Sequence, residues 1–362
     1  MRVSDEQAVE FLQQLIEIYS PSRQEAECVD FLVKKMREFG LDAHVDNAGN
    51  AVGIKNGVGP QVLLFSHVDT VEGKLEVKND GSFLYGRGAC DAKGPLAALV
   101  VAAARSQAPM ELIVAGVVEE EIESSKGAHE LLKNCNPQYC ILGEPTNTNA
   151  IAIAYKGRLL VKCVVKGEKG HSASGIESPV EQGINFFEEI KKQFDVGNAF
   201  NKVGLRITFA QAGNESALNV NPDSFTFVID IRLPPSVSSK YTMQKILELK
   251  QQNIEVEFSG ACDASETRIE AKTVRATTKA IRKQKLNPTY LRKLATSDFN
   301  ISNPKFETVV YGPGDSKLDH TDEERISIQD FLVSIKVIEN TLEELALSPQ
   351  PQTALSSVKQ KL

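Results

Sequence analysis

Val62-Leu63-Leu64-Phe65-Ser66-His67-Val68-Asp69 is an apolar run that ends in an imidazole and a carboxylate one residue apart. A buried strand with this ending predicts that His67 and Asp69 are aimed from its carboxyl edge, where open α/β sheets place their sites. Gly86-Arg87-Gly88-Ala89-Cys90-Asp91-Ala92-Lys93-Gly94 follows and leads into an Ala- and Leu-rich helix over 92–105. Two more apolar runs also end in acids. Leu112-Ile113-Val114-Ala115-Gly116-Val117-Val118 runs into Glu119-Glu120-Glu121, and Cys140-Ile141-Leu142-Gly143 into Glu144. Far downstream, His320 closes Gly312-Pro313-Gly314-Asp315-Ser316-Lys317-Leu318-Asp319-His320.

Imidazole nitrogen and carboxylate oxygen are the ligands of zinc and similar divalent ions. Two His and three carboxylates exceed one tetrahedral ion, but they suit two ions about 3.5–4 Å apart that share a bridging carboxylate. The set predicts one ion held by His67, Asp91 and Glu144, and a second by Asp91, Glu121 and His320. Asp69 would stand behind them and orient the His67 ring by accepting its free N–H. Each residue also has a plainer reading. Asp91 could cap the helix that begins near Ala92, and Glu119-Glu120-Glu121 could be a solvated helix entry complementing the dipole. His44-Val45-Asp46 repeats the His-x-Asp spacing in an alternating, half-exposed strand, where no metal is expected. Cys90 beside Asp91 reads as a core residue, because its side chain should point away from its neighbour's.

The chain has 362 residues with 41% hydrophobic content, enough for two packed domains, and no run of eighteen apolar residues. Met1-Arg2-Val3-Ser4-Asp5 leads directly into an amphipathic helix, so neither a secretory signal nor a membrane span is expected. Cys28, Cys90, Cys135, Cys140, Cys163 and Cys262 lack Cys-x-x-Cys spacing and read as thiols of a reducing cytoplasm.

Strands and helices alternate through the first part. Helices are expected from Ser4-Asp5 to about Tyr19, over 23–39, 92–105 and 124–134, and strands near 42–46, 51–54, 62–66, 112–118 and 139–142. This predicts a mixed-sheet α/β/α catalytic domain. From Lys156-Gly157 the order becomes strand (159–165), helix (179–194), strands (205–210 and 224–233), helix (238–251) and strand (254–259), the β-α-β-β-α-β order of a ferredoxin-like α+β unit. We read it as an insertion, since His320 must return to the first half's site. The expected division is 1–156 and 266–347 for the catalytic domain, 157–265 for the insertion and 348–362 for a flexible tail, with a helix over 327–345 closing the catalytic domain.

The chain resembles the di-metal aminoacylase/carboxypeptidase metallopeptidases, which include acetylornithine deacetylase and succinyl-diaminopimelate desuccinylase. The resemblance rests on His67-Val68-Asp69, Gly-Arg-Gly-x-x-Asp-x-Lys-Gly over 86–94, the acidic run, Gly143-Glu144-Pro145-Thr146, Gly170-His171-Ser172-Ala173 and His320, in the family's order over nearly the whole chain. It implies two divalent ions per subunit, zinc first and cobalt as the alternative. It also implies Glu120 as general base, Glu121 as ligand and the insertion as a lid and homodimer surface. The chain departs from the family at Glu123, where a small residue is usual, and in a distance to Gly127 that is one residue longer. By the same resemblance His171 would reach a neighbouring subunit's site and donate to the oxyanion, with a histidine in a polar turn as its plainer reading. Asn219 and Arg232 match positions near the substrate carboxylate, although Arg232 could equally pair with Asp230.

Segment 268–293 carries nine Lys and Arg against one acid, Glu270, in a chain of net charge −7. It reads either as a solvated face or as a landing site for an acidic protein; no aromatic platform supports nucleic acid. Together with the short chain, Glu119-Glu120-Glu121 with Ser124-Ser125-Lys126-Gly127-Ala128, and Ala295-Thr296-Ser297-Asp298-Phe299-Asn300, it resembles the branch that releases lysine or ornithine from an acidic amino-group carrier protein by cutting its terminal glutamate γ-amide. The alternatives are a small-molecule deacylase (N-acetylornithine, N-acetyllysine or N-succinyl-diaminopimelate), a di- or tripeptidase, and a non-catalytic binding protein on the same fold.

Overall fold

Ser4 caps the first helix reciprocally: the Gln7 amide donates to Ser4 Oγ at 3.2 Å, and the Ser4 amide donates to Gln7 Oε1 at 2.8 Å. The computed structural model describes residues 3–347, so the tail expected over 348–362 lies outside the described residues. In chain order the elements are α1 (Asp5–Glu17), α2 (Ala26–Glu38), β1 (Asp42–Val45), β2 (Ala51–Lys55), β3 (Gln61–His67), β4 (Lys78–Asn79), β5 (Phe83–Tyr85), α3 (Lys93–Arg105), β6 (Glu111–Val117), α4 (Lys126–Asn134), β7 (Tyr139–Leu142) and β8 (Ala150–Tyr155). Then come β9 (Gly157–Lys166), β10 (Gly170–His171), α5 (Pro179–Lys192), β11 (Gly204–Ala212), β12 (Val220–Asn221), β13 (Ser224–Leu233), α6 (Ser239–Leu249) and β14 (Ile254–Cys262). The chain returns through β15 (Ser265–Glu266), α7 (Lys272–Lys283), β16 (Thr289–Lys293), α8 (Phe299–Ser302), β17 (Glu307–Val310), β18 (Arg325–Ser327) and α9 (Ile328–Leu347).

A nine-stranded mixed sheet carries the order β1-β2-β6-β3-β7-β17-β8-β15, with β16 beside β8. Its centre is parallel: β3 pairs with β6 and β7, and β17 with β7. Apolar clusters cover both faces, which is why β3, β6 and β7 read as continuous hydrophobic runs rather than alternating ones. α3 is buried almost all round, hence its run of Ala, Leu and Val. α2 starts later than the expected residue 23, because Arg23 has φ +72° and keeps residues 18–25 as a loop. The sequence pattern did not reveal β8, β16 or β17.

The second unit is an antiparallel sheet in the order β11-β13-β9-β14 with its own apolar cluster, into which α5 and α6 pack. Alternate residues of β9, from Leu159 to Val165, face that cluster and their neighbours do not. Chain enters and leaves this sheet at Lys156-Gly157 and Cys262-Asp263, and Asn300 Nδ2 donates to Lys156 O at 3.1 Å and to Asp263 O at 2.8 Å. One buried amide on α8 thus ties both crossings together. No helix of the described residues is long and apolar enough to cross a membrane, and the six cysteines are free thiols.

Candidate active site

The parallel strands β3, β6, β7 and β17 end at one edge, and the loops beyond those ends bring the polar residues together. His67 is the last residue of β3, Glu119-Glu120-Glu121 follows β6, and Glu144 follows β7. His320 lies in the loop after β17. That loop packs against the Asp91 turn: Gly314 has φ +105°, and a Cβ there would stand 2.7 Å from Cys90 Sγ, so both backbone and space demand glycine. Cys90 Sγ itself donates to Asp315 O at 3.2 Å and lies 3.4 Å from Asp319 Oδ1, turned toward the loop. Asp91 does not cap α3. Its amide, with that of Cys90, donates to Glu324 Oε1 at 3.0 Å, while Glu324 Oε2 accepts from Arg87 Nη1 at 3.0 Å.

Two triads result, each with its ligand atoms within 4.8 Å of one another: His67, Asp91 and Glu144, and Asp91, Glu121 and His320. Asp91 divides its oxygens between them. Oδ1 is 3.2 Å from His67 Nε2, and Oδ2 is 3.1 Å from His320 Nε2, which also lies 3.1 Å from Glu121 Oε1. The first triad is deep, with His67 1% exposed, whereas the His320 side chain is 50% exposed.

Protons and cations compete for such a cluster. Burial pushes the Glu144 carboxyl well above the ordinary carboxylate range, and neighbouring Asp91 adds to the effect. Desolvation does the same to Glu120, partly offset by His67 and reinforced by Glu144. Hydrogen bonds with Asp91 and Glu121 raise the His320 imidazole to about 10. Glu144 Oε1 is buried with no hydrogen-bond partner, an arrangement that is costly unless a cation or donor meets it. A set of N and O donors with one two-sided carboxylate fits two divalent ions.

Asp69 departs from its expected task. His67 Nδ1 lies 2.8 Å from the Asp69 carbonyl oxygen but 3.5 Å from Oδ1, so the main chain holds the ring. The Asp69 carboxylate instead accepts from the Glu120 amide (3.1 Å), the Glu121 amide (3.1 Å) and Ser22 Oγ (2.7 Å). His44 is exposed on β1, away from both triads.

His171 and Asn219 are brought together, but elsewhere. They meet on the β10–β12 side of the second unit, where the Ser172 amide donates to Asn219 O at 2.9 Å and the Ala173 amide to His171 Nδ1 at 3.0 Å. Neither belongs to a triad or lines the cavity beside them. That cavity, of about 470 Å³, has Glu120, Glu121, Glu123 and His320 on one side and Arg158 and Arg232 on the other. Arg232 is largely committed: Nε and Nη2 reach the Asp230 carboxylate at 2.8 and 3.0 Å, and Nη1 donates to Thr296 Oγ1 at 3.2 Å.

Arg158, which the sequence reading passed over, is less committed. It reaches the same carboxylate through Nη2 at 3.2 Å, and its buried Nε has no partner. The two arginines are direct cross-strand partners on β9 and β13, a like-charge pairing that costs stability unless anions answer it. One Asp230 between two guanidinium groups leaves a net positive wall. In sequence Arg158 is one polar residue at a strand start, and only the register exposes the pairing.

The basic segment is partly answered within the chain. Lys279 and Lys283 on α7 reach Glu344 on α9 at 3.1 and 2.9 Å, and Arg292 pairs with Glu266 at 2.5 Å. α7 therefore offers less free charge than its composition implies.

Comparison with known proteins bears on this geometry directly. Residues 63–344 match the model of peptidase family M20/M25/M40. A Thermococcus kodakarensis protein, named provisionally as a LysW-lysine/LysW-ornithine hydrolase, is 40% identical over 349 residues, covering 95% of this chain and 93% of that one. The LysW-lysine/LysW-ornithine hydrolase of Saccharolobus islandicus is 31% identical over 343 residues, covering 94% and 96%. Among solved structures, an M20 family metallo-carboxypeptidase of Sulfolobus solfataricus superposes with a TM-score of 0.80 at 17% identity over 94% of this chain and 99% of that one. Bacillus subtilis YXEP, described as a dinuclear metal binding peptidase of the M20 family, gives 0.70 at 14% over 94% and 97%. A family match over most of the chain, relatives aligned end to end and a shared fold agree with two triads at one sheet edge, and the chain belongs to peptidase family M20/M25/M40.

Proposed function

We propose that this chain is a dinuclear metal-dependent amide hydrolase that releases lysine or ornithine from an acidic amino-group carrier protein, cutting the amide between a terminal glutamate γ-carboxyl and the amino acid's amine. One observation carries the reading: relatives named for LysW-lysine and LysW-ornithine align over nine-tenths or more of both chains, with 31–40% identity. His67, Asp91 and Glu144 would hold one ion, and Asp91, Glu121 and His320 the other; such donors accept zinc, cobalt and manganese alike, with zinc the first candidate and cobalt the second. When bound, such a pair acidifies a shared water and polarises the amide carbonyl.

The protein's own groups do the rest. Glu120, in contact with the site yet not needed as a ligand, takes a proton from the attacking water and returns it to the leaving nitrogen as the C–N bond breaks and a C–O bond forms. A carboxylate base poised high by desolvation suits both transfers. Arg158, with donors to spare, takes a substrate carboxylate, and Arg232 stiffens that wall through Asp230.

Residues 157–265 act as lid and dimer surface in this reading. β11 is an edge strand with Ile207 41% and Phe209 48% exposed, a surface suited to a second copy. His171 and Asn219, which lie together away from their own chain's cavity, would in such a dimer serve the partner's site. Sedimentation of the protein as a monomer at micromolar concentration would remove this part.

The deciding assay measures lysine release from a carrier bearing a γ-linked terminal lysine, beside N-acetylornithine, N-succinyl-diaminopimelate and di- and tripeptides. We expect the carrier substrate to be turned over best. Brisk cleavage of acetylornithine with the carrier left untouched refutes the assignment.

A further inference from the structure

Residues 18–25, the loop between α1 and α2, give no side chain to either triad, yet they are bonded repeatedly to the site's framework. The loop is laced to the chain leaving β3: Ser20 Oγ donates to Val68 O at 2.7 Å, the Thr70 amide to Ser20 O at 3.0 Å, and the Ser22 amide to Thr70 O at 3.3 Å. From this anchored loop Glu25 reaches the acidic turn after β6 directly, and Ser22 reaches it through Asp69. Ser22 Oγ donates to Asp69 Oδ2, and Asp69 accepts the Glu120 amide through Oδ1 and the Glu121 amide through Oδ2. Glu25 Oε1 accepts the Glu119 amide at 3.1 Å. Three consecutive amides of the turn that carries the base therefore end on two buried carboxylates.

That turn needs an external hold. Glu119 has φ +60°, a conformation L side chains rarely adopt and one that persists only where the surroundings over-determine it. Two buried acids beside a cluster already rich in carboxylates are costly, and Glu25 is only 6% exposed. What they share is the turn's amides. With those amides fixed, the peptide planes are fixed, and so are the directions in which the Glu120 and Glu121 side chains leave the chain.

We propose that Glu25 is a positioning residue of the active site, which together with Ser22 and Asp69 holds the Glu119–Glu121 turn so that the Glu120 carboxyl stays aligned for proton transfer. Misplacing a reacting group by about 1 Å costs on the order of a hundredfold in rate.

The test compares Glu25→Ala, Glu25→Gln and Ser22→Ala at saturating metal, on any amide the enzyme turns over, so that it does not depend on the carrier assignment. Glu25→Ala should lower kcat by about 10–100-fold while KM stays within about twofold and two ions remain per chain. Glu25→Gln keeps an acceptor oxygen for the Glu119 amide and should recover most of the loss. Ser22→Ala, which removes one bond to Asp69, should lower kcat by about 3–10-fold. A kcat for Glu25→Ala within twofold of the parent, a Glu25→Gln variant as slow as Glu25→Ala, or a loss matched by missing metal overturns the proposal. Should Glu25→Ala fail to fold, an unchanged kcat in Ser22→Ala overturns it.

Discussion

Substituting Asp91 by Ala should cost the protein both ions, and His320→Ala should cost it one. Asp91 Oδ1 faces His67 and Oδ2 faces His320, so it alone is common to both triads. Its amide stays bonded to Glu324 whatever the side chain, so the backbone has a reason to keep its place. An ion at a hundred times its Kd adds about 2.7 kcal/mol to the folded state. For a unit of about 150–250 residues, 1 kcal/mol moves Tm by about 2–4 °C, so each ion is worth about 5–10 °C. Differential scanning of chelator-stripped protein against added zinc, with metal counted per chain, should show two steps for the parent. The step for the half-exposed His320 triad should be lost first on chelation. His320→Ala should keep one step and Asp91→Ala neither in the same concentration range. Two ions bound to Asp91→Ala with the parent's affinity, or equal stoichiometry in both variants, would refute the shared-ligand geometry.

Glu120→Gln should retain both ions and lose about 10²–10⁴-fold in kcat, since general-base assistance has that size; metal analysis beside turnover checks it. Arg158→Ala should raise KM by about 10–100-fold for a substrate with a carboxylate beside the scissile amide, the worth of one charged hydrogen bond, and leave an uncharged analogue unaffected. Glu344→Gln should destabilise the protein by up to about 1 kcal/mol at neutral pH, because Lys283 and Lys279 hold the Glu344 carboxyl below its usual range. A lowered folded-state value gives stability that is present above the unfolded value and fades as pH falls through the folded one. The two proteins should therefore converge in denaturant midpoint on acidification through the carboxylate range.

Much of the architecture was written in local pattern. The apolar runs ending in His67, Glu119 and Glu144 carried both their strands and the direction in which the polar ends emerge, because runs this short are the pattern of a parallel strand buried on two faces. The β-α-β-β-α-β order of 157–265 was legible for a related reason: β9 and β13 alternate cleanly over one apolar cluster. Long-range choices were not legible. Nothing near Glu307–Val310 says that this strand enters between β7 and β8. Spacing likewise could not tell the Asp69 carbonyl from its carboxylate as the partner of His67, since both atoms belong to one residue. Glu25 falls in the first turn of the helix expected over 23–39, and neither it nor Ser22 stands out until the fold lays the loop of residues 18–25 against the acidic turn. Arg158 gains meaning only once the register sets it opposite Arg232.

The place of β17 has a consequence for how the protein is made. During synthesis the first half can assemble β1-β2-β6-β3-β7, but β7 keeps a bare edge until Val310 has left the ribosome, after the whole intervening unit has emerged. Pairing at such sequence distance is slow, and an open strand edge is sticky while it waits. His320 arrives still later. Until it does, the nascent chain holds the complete His67, Asp91 and Glu144 triad but lacks one ligand of the other.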